Sequence, residues 1–113
     1  MRVLLNKTRL DFDISDDVVD EIQRECGWQD ADLWFMRDGD LRLRSDPDFL
    51  RIIEGAGSKA FKRTGASHQR YEIVELDIPE DEIDRYFIDN VAGFERIIKV
   101  MKPKTIKRIH GEL

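Results

Sequence analysis

The chain has 113 residues, one cysteine and a formal net charge of −5, and 38% of its residues are charged. That length fits one domain, 1–113, and the large apolar residues exclude a disordered chain. The negative charge argues against non-specific binding to DNA or anionic membranes, and one cysteine excludes an intrachain disulfide framework.

The first quarter of the chain predicts a strand followed by a helix. Apolar residues alternate with polar ones, which predicts a strand over residues 2–13. Ser15 is expected to cap a helix that runs through Glu25, with its hydroxyl accepting a hydrogen bond from a free backbone N–H. Gly27 is the expected C-terminal stop of this helix.

The segment LWFMRDGDLRLR predicts a β-hairpin. Asp38-Gly39 is the strongest turn signal in the chain, because a type I′ turn needs positive φ at both central positions. With a two-residue turn, Met36 would lie opposite Leu41 on one face of the hairpin.

A second helix is expected to begin at Asp46-Pro47. Asp46 is suited to the N-cap, and Pro47 fits the first helical position, where no N–H is needed. The glycines near its end, Gly55 and Gly57, weaken the helix or let it end early. The residues expected on its buried side are Phe49, Leu50, Ile53, Ala56, Ala60 and Phe61.

The last third of the chain predicts a strand, an acidic turn and a hairpin. Residues 71–78 carry apolar side chains on both faces, which indicates a central strand. Pro79 ends this strand, and four acidic residues follow it. Residues 85–89 and 94–101 are then expected to pair as a hairpin.

These elements follow the order β-α-β-β-α-β-β-β. They predict a single α+β domain in which a mostly antiparallel sheet is packed by two helices. A basic C-terminal tail, residues 102–113, ends the chain. The first residues lack the apolar core of a signal peptide, and no later stretch is long enough to span a membrane. Together with the single cysteine, this favours the cytoplasm.

Two segments, RSDPDFLRIIEGAGSKAF and YEIVELDIPEDEIDRYFIDNVAGFERI, carry a family resemblance. They resemble a group of small bacterial and phage proteins with an R-[ST]-D-P-D-[LF] helix start, an I-V-E-x-x-I-P-[ED]-D strand and a hairpin. The resemblance covers about half of the chain and implies the same order of elements. No activity is established for that group, so the resemblance assigns no functional residue.

Four aspartates near the first helix are the best candidates for metal ligands, but they fail the calcium-loop pattern. Asp11 and Asp13 precede Asp16 and Asp17, with no glycine at the sixth position and no bidentate glutamate at the twelfth. Helix capping and complementarity with the helix dipole explain these side chains. The sequence therefore predicts no metal and no cofactor.

A small enzyme is the third functional hypothesis. Paired carboxylates at residues 80–84 suit acid–base chemistry, and Cys26 with His68 would form a nucleophilic pair. The carboxylates are better explained as a solvated turn, and Cys26 as a small apolar residue of its helix. No catalytic residue is predicted.

A nucleic-acid-binding module is the second hypothesis. A run of basic residues near the C-terminus could contact phosphates, although no aromatic residue is interleaved to stack on bases. The residues concerned are Lys99, Lys102, Lys104, Lys107 and Arg108.

The favoured hypothesis is a non-enzymatic accessory protein of phage or bacterial type that binds a protein partner, as inhibitors and immunity proteins do. Tryptophans are frequent interface anchors, and acidic residues surround them in this chain. The same tryptophans are as readily explained as core residues. Self-association is compatible with each of the three hypotheses. The residues expected to contact the partner are Trp28, Trp34, Asp30, Asp32, Asp38 and Asp40.

Overall fold

The computed structural model describes residues 1–7, 13–62, 71–91 and 94–99, and these form an α+β fold, as predicted. Four strands and four α-helices make up its regular structure. Their bounds are β1 (Arg2–Asn6), α1 (Asp16–Cys26), α2 (Asp30–Asp38), α3 (Leu41–Arg44), α4 (Pro47–Ala56), β2 (Tyr71–Glu75), β3 (Tyr86–Val91) and β4 (Phe94–Lys99). Short 3-10 helices at Gly57–Lys59 and Glu80–Arg85 follow α4 and precede β3.

The strands form two antiparallel pairs, β1 with β2 and β3 with β4. The predicted C-terminal hairpin is confirmed, with Phe87 opposite Ile98 and Ile88 opposite Ile97. Strand β2, by contrast, was wrongly expected to be central. In the described part of the chain it pairs with β1 alone.

The apolar residues on both faces of β2 have a different cause. Ile73 packs against one hydrophobic cluster, and Val74 packs against another on the opposite face. The β1–β2 sheet therefore lies between two clusters, and apolar residues are needed on both faces of an edge strand.

The predicted hairpin around Asp38-Gly39 is wrong, because this segment forms α2 and α3. Gly39 adopts a left-handed φ of 103° and ends α2, donating its N–H to Met36 O at 3.1 Å. A helix C-cap needs the same positive φ as a type I′ turn, so Asp-Gly serves both. Leu33 and Met36 are the buried residues of α2, and their spacing of three is helical. Met36 therefore does not face Leu41 across a hairpin.

Helix α1 lies where it was predicted, but its cap differs. Gly27 ends it with a left-handed φ of 69°. Ser15 makes no side-chain cap bond, and its hydroxyl instead donates to Lys59 O at 2.6 Å. An isolated β-bridge between Ile14 and Phe61 brings the start of α1 next to the segment after α4. The Ser15 hydroxyl therefore bonds to that segment and not to its own helix.

Helix α4 confirms the predicted start. Asp46 accepts hydrogen bonds from the N–H groups of Asp48 at 2.9 Å and Phe49 at 3.1 Å, and Pro47 occupies the first turn. The helix ends early, at Ala56. Of the residues expected on its buried side, all are buried except Ala56, which packs half-buried against the core.

The main hydrophobic cluster lies between α1, α2, α4 and one face of the β1–β2 sheet. Leu4, Ile22, Phe49 and Ile53 are fully buried in it. The smaller cluster, on the other face of the sheet, joins Val3 and residues of the C-terminal hairpin. Predictions for residues 8–12, for His68 and for the tail 102–113 lie outside the described residues.

Candidate functional site

An aromatic pair stands out on the surface of α2. Trp34 is 60% exposed and Phe35 is 50% exposed. Their rings meet edge to face, with centroids 5.3 Å apart and an interplanar angle of 78°. Each ring therefore presents a large apolar area to solvent while the two rings support each other.

The helical period explains why these rings point outward. Leu33 and Met36 turn inward to the main cluster. Positions three and four apart share a helix face, which places Ala31 and Asp38 beside Trp34 and Phe35 on the outer side. These four residues are all exposed, and we call them the α2 face.

Acidic residues lie on the α2 face and at both ends of α2. Asp30 and Asp38 are exposed on the helix itself, and Asp40 is exposed just after it. Three of the predicted contact residues also have local roles. Asp30 accepts from Gln23 Nε2 at 2.9 Å, Asp32 accepts from Gln29 N at 2.8 Å, and Asp40 accepts from Leu43 N at 3.0 Å. Asp32 is half-buried, so it adds less to the surface than the other three.

Trp28 does not belong to this surface. It is only 7% exposed and stacks on Phe49, with ring centroids 5.1 Å apart. The prediction that Trp28 contacts a partner is corrected: it precedes α2 and fills the main cluster, while Trp34, six residues later, faces solvent.

A buried ion pair supports the α2 face, and the sequence predictions missed it. Arg44 is fully buried at the end of α3, and its two terminal nitrogens reach Glu95 Oε1 at 2.7 Å and Oε2 at 2.9 Å. This bidentate geometry is the strong form of the arginine–carboxylate interaction. A buried guanidinium with unsatisfied N–H groups would strongly destabilise the fold, so the remaining N–H donors of Arg44 also need acceptors.

Those donors reach the end of α2 and the edge of β1. The guanidinium donates to Met36 O, to Arg37 O at 3.2 Å and to Leu4 O at 2.9 Å. On the other side, Glu95 Oε1 accepts the N–H of Asn6 at 2.6 Å. One ion pair thus joins the carboxyl end of α2, strand β1 and strand β4.

The sequence contained one signal for this pair. Residues 95 and 97 share a strand face, so alternation places Glu95 on the inner, apolar side with Ile97 and Ile88. A buried carboxylate needs a partner. The missing partner, Arg44, was not found, because strand alternation in the expected hairpin places Arg44 on the face opposite Leu41 and Leu43.

Two of the four aspartates considered for a metal, Asp13 and Asp16, contact a lysine instead. Lys62 Nζ lies 3.1 Å from Asp16 Oδ1 and 3.8 Å from Asp13 Oδ1. The hydrogen bond to Asp16, followed by the charge of Asp13, raises the pKa of Lys62. Within the described ranges, no group of acidic, histidine and cysteine side chains is placed to hold a metal ion.

Two of the carboxylates considered for catalysis pair with arginines, and Cys26 is half-buried. Glu82 pairs with Arg85 at 3.3 Å, and Asp84 pairs with Arg42 at 3.1 Å, so these carboxylates face arginines. Burial, followed by the charges of Asp46 and Asp48, raises the pKa of Cys26 to about 11. A thiol with this pKa is protonated at neutral pH and is therefore a weak nucleophile.

Only one of the predicted nucleic-acid contacts falls in the described part of the chain. Lys99 lies on β4, 3.9 Å from Glu82 Oε2 and 5.5 Å from the centre of the Tyr86 ring. The other four lie in the tail, outside the described residues.

A comparison of the chain with protein-family models, curated proteins and solved structures found no match. The resemblance to small bacterial and phage proteins therefore stays a prediction. Among the described helices, none is both long enough and apolar enough to cross a bilayer.

Proposed function

We propose that this protein is a non-enzymatic accessory protein, of the phage or bacterial inhibitor or immunity type, that binds a protein partner through the α2 face. The observation that carries the proposal is the exposed Trp34–Phe35 pair. Tryptophan and its aromatic neighbours dominate binding energy at interfaces when a partner pocket removes them from water.

The support beneath the pair favours this role. Helix α2 is anchored inward by Leu33 and Met36, and its last carbonyls are held by the buried guanidinium of Arg44. A face held in one position loses little conformational entropy on binding. Exposed aromatic residues on a rigid helix are thus prepared for a pocket.

The charge around the α2 face defines the partner. Asp38 belongs to the α2 face, Asp30 and Asp40 are exposed at the two ends of α2, and Arg37 is the basic residue of α2. Complementary potentials steer association and select partners. The expected partner surface is an apolar pocket with lysine or arginine at its rim.

Affinity capture from a bacterial lysate tests this proposal. The bait is the full chain, and the comparison is Trp34→Ser/Phe35→Ser, with nuclease-treated and untreated samples. We expect a stoichiometric protein that survives nuclease and is lost with the double variant. Phe87→Ser, at an aromatic residue 41% exposed on β3, is the matched control and should retain it.

Two results would contradict the proposal. Recovery of nucleic acid alone, abolished by deleting residues 102–113, would establish the nucleic-acid-binding hypothesis instead. Equal recovery of the same protein by the wild type and the double variant would place the binding surface elsewhere.

A further inference from the structure

The edge of β2 that faces away from β1 is unpaired in the described part of the chain. The hydrogen bonds between residues 1 and 76 show which backbone N–H and C=O groups of β2 point toward that edge. Met1 N donates to Leu76 O at 2.8 Å, and Leu76 N donates to Met1 O at 2.7 Å. Residues 1 and 76 are therefore a hydrogen-bonded pair. In an antiparallel ladder such pairs alternate with pairs whose backbone groups point away from each other.

This alternation assigns the outward groups of β2. The register places Glu75, Ile73 and Tyr71 opposite Arg2, Leu4 and Asn6, and these are the pairs without mutual hydrogen bonds. The N–H and C=O of Tyr71, Ile73 and Glu75 consequently face away from β1. No strand in the described part of the chain pairs with that edge.

The opposite edge of the same sheet is protected. On β1, the outward carbonyl of Leu4 accepts from Arg44, and the outward N–H of Asn6 donates to Glu95. The buried ion pair thus takes the hydrogen bonds that another strand would take. Open edges are sites at which another chain can add a strand, and proteins protect them where pairing is unwanted.

The side chains of β2 fit an added strand. Tyr71, Ile73 and Val74 are half-buried and already pack against the two hydrophobic clusters. A neighbouring strand would cover them further, at a spacing of about 5 Å. Backbone hydrogen bonds would supply affinity, and side chains that alternate along the new strand would supply specificity.

Charge selects the occupant of this edge. The chain has no lysine or arginine from Tyr71 through Asp84, and its acidic residues in that range are Glu72, Glu75, Asp77, Glu80, Asp81, Glu82 and Asp84. Glu72 and Glu75 are exposed on the strand itself. Arg2, opposite Glu75, forms its ion pair with Glu54 at 2.7 Å. A second copy would bring like charges together, whereas a basic segment would meet opposite ones.

We propose that the outer edge of β2 is a strand-addition site for an extended, basic segment of a partner protein. The bound segment pairs its backbone with Tyr71, Ile73 and Glu75, and its lysines or arginines lie beside Glu72 and Glu75. This site is separate from the α2 face and does not depend on the function proposed for that face.

The test uses a fluorescein-labelled nine-residue valine-rich peptide whose two lysines are three positions apart, so that they lie on opposite strand faces as Glu72 and Glu75 do. Its binding to the full chain is measured by fluorescence anisotropy. The key comparison is Glu75→Pro with Glu75→Gln. Both remove one charge, but only proline removes the outward N–H, which takes no part in pairing with β1. Circular dichroism and thermal unfolding establish that both variants keep the fold.

We expect the Glu75→Pro variant to bind the peptide at least 10-fold more weakly than Glu75→Gln. A peptide methylated on alternate backbone nitrogens should lose binding to the same extent, and Trp34→Ser/Phe35→Ser should leave binding unchanged. Equal affinity of the proline and glutamine variants would overturn the proposal. A wild-type dimer in sedimentation that Glu75→Pro dissolves would also overturn it, since the edge would then bind a second copy.

If the proline variant fails to fold, the charge-reversed variant Glu72→Lys/Glu75→Lys tests the strand-addition site instead. It should bind the basic peptide at least 10-fold more weakly and gain binding to the same peptide with glutamate in place of lysine. Undiminished binding of the basic peptide would overturn the proposal.

Discussion

Replacing Glu95 by glutamine should remove much of the stability of this fold. The substitution keeps the shape of the side chain but removes the negative charge that Glu95 places on the buried Arg44 guanidinium. One amide oxygen can accept only part of what two carboxylate oxygens accept from Arg44 and from the N–H of Asn6. Breaking a buried ion pair from one side costs about 3–5 kcal/mol.

That loss is a large share of the about 5–15 kcal/mol by which domains are stable. With a urea dependence of about 1–3 kcal/mol per molar, the unfolding midpoint should fall by more than about 1 M. Urea unfolding followed by circular dichroism and by the fluorescence of buried Trp28 measures it. The matched control is Asp89→Asn, which breaks the surface pair with Arg96, 3.6 Å apart, and should cost under about 1 kcal/mol.

A double-mutant cycle with Arg44→Met isolates the interaction between the two side chains. Removing Arg44 as well relieves the unpaired charge, so the double variant should be less destabilised than the sum of the single variants by at least about 2 kcal/mol. A Glu95→Gln loss below about 1 kcal/mol, or additive single variants, would refute the role assigned to this pair.

Four further predictions concern single sites. Gly55→Ala should stabilise the protein by about 1 kcal/mol, since an added Cβ meets open space on α4. Gly39→Ala should destabilise it by about 1–2 kcal/mol, because φ is 103° and a Cβ would lie 3.3 Å from Ile88 Cβ. Asp46→Ala should cost about 1 kcal/mol through the lost helix cap, while Asp46→Asn should cost less. Chemical denaturation measures all of these variants. Since burial raises the pKa of Cys26 to about 11, its alkylation by iodoacetamide at pH 8 should be about 10-fold slower than that of an ordinary thiol. The smaller thiolate fraction outweighs the greater nucleophilicity of the thiolate. A rate equal to that of a free thiol would contradict this assignment.

Much of the fold was predictable where local chemistry has a single solution. Asp46 and Pro47 specify a helix start, and the predicted C-terminal hairpin formed with Phe94 as the first residue of its second strand. Asp38-Gly39 has two solutions, because both a hairpin turn and a helix C-cap need a positive φ. Helical spacing of Leu33 and Met36 was the signal that should have decided between them.

The candidate site was predictable only in part, because long-range contacts decide it. Trp28 and Trp34 were both expected either to contact a partner or to lie in the core, since sequence does not show which ring stacks on Phe49. The pairing of Arg44 with Glu95 spans 51 residues, and only the fold brings the two side chains together. The open edge of β2 likewise depends on the register with β1.

Titration calorimetry of the captured protein partner with Trp34→Ala tests the central claim most directly. If Trp34 anchors the interface, its loss should weaken binding by at least about 2 kcal/mol, or about 30-fold, while Phe87→Ala should bind as the wild type does. An unchanged affinity for Trp34→Ala would contradict the claim that the α2 face binds the partner.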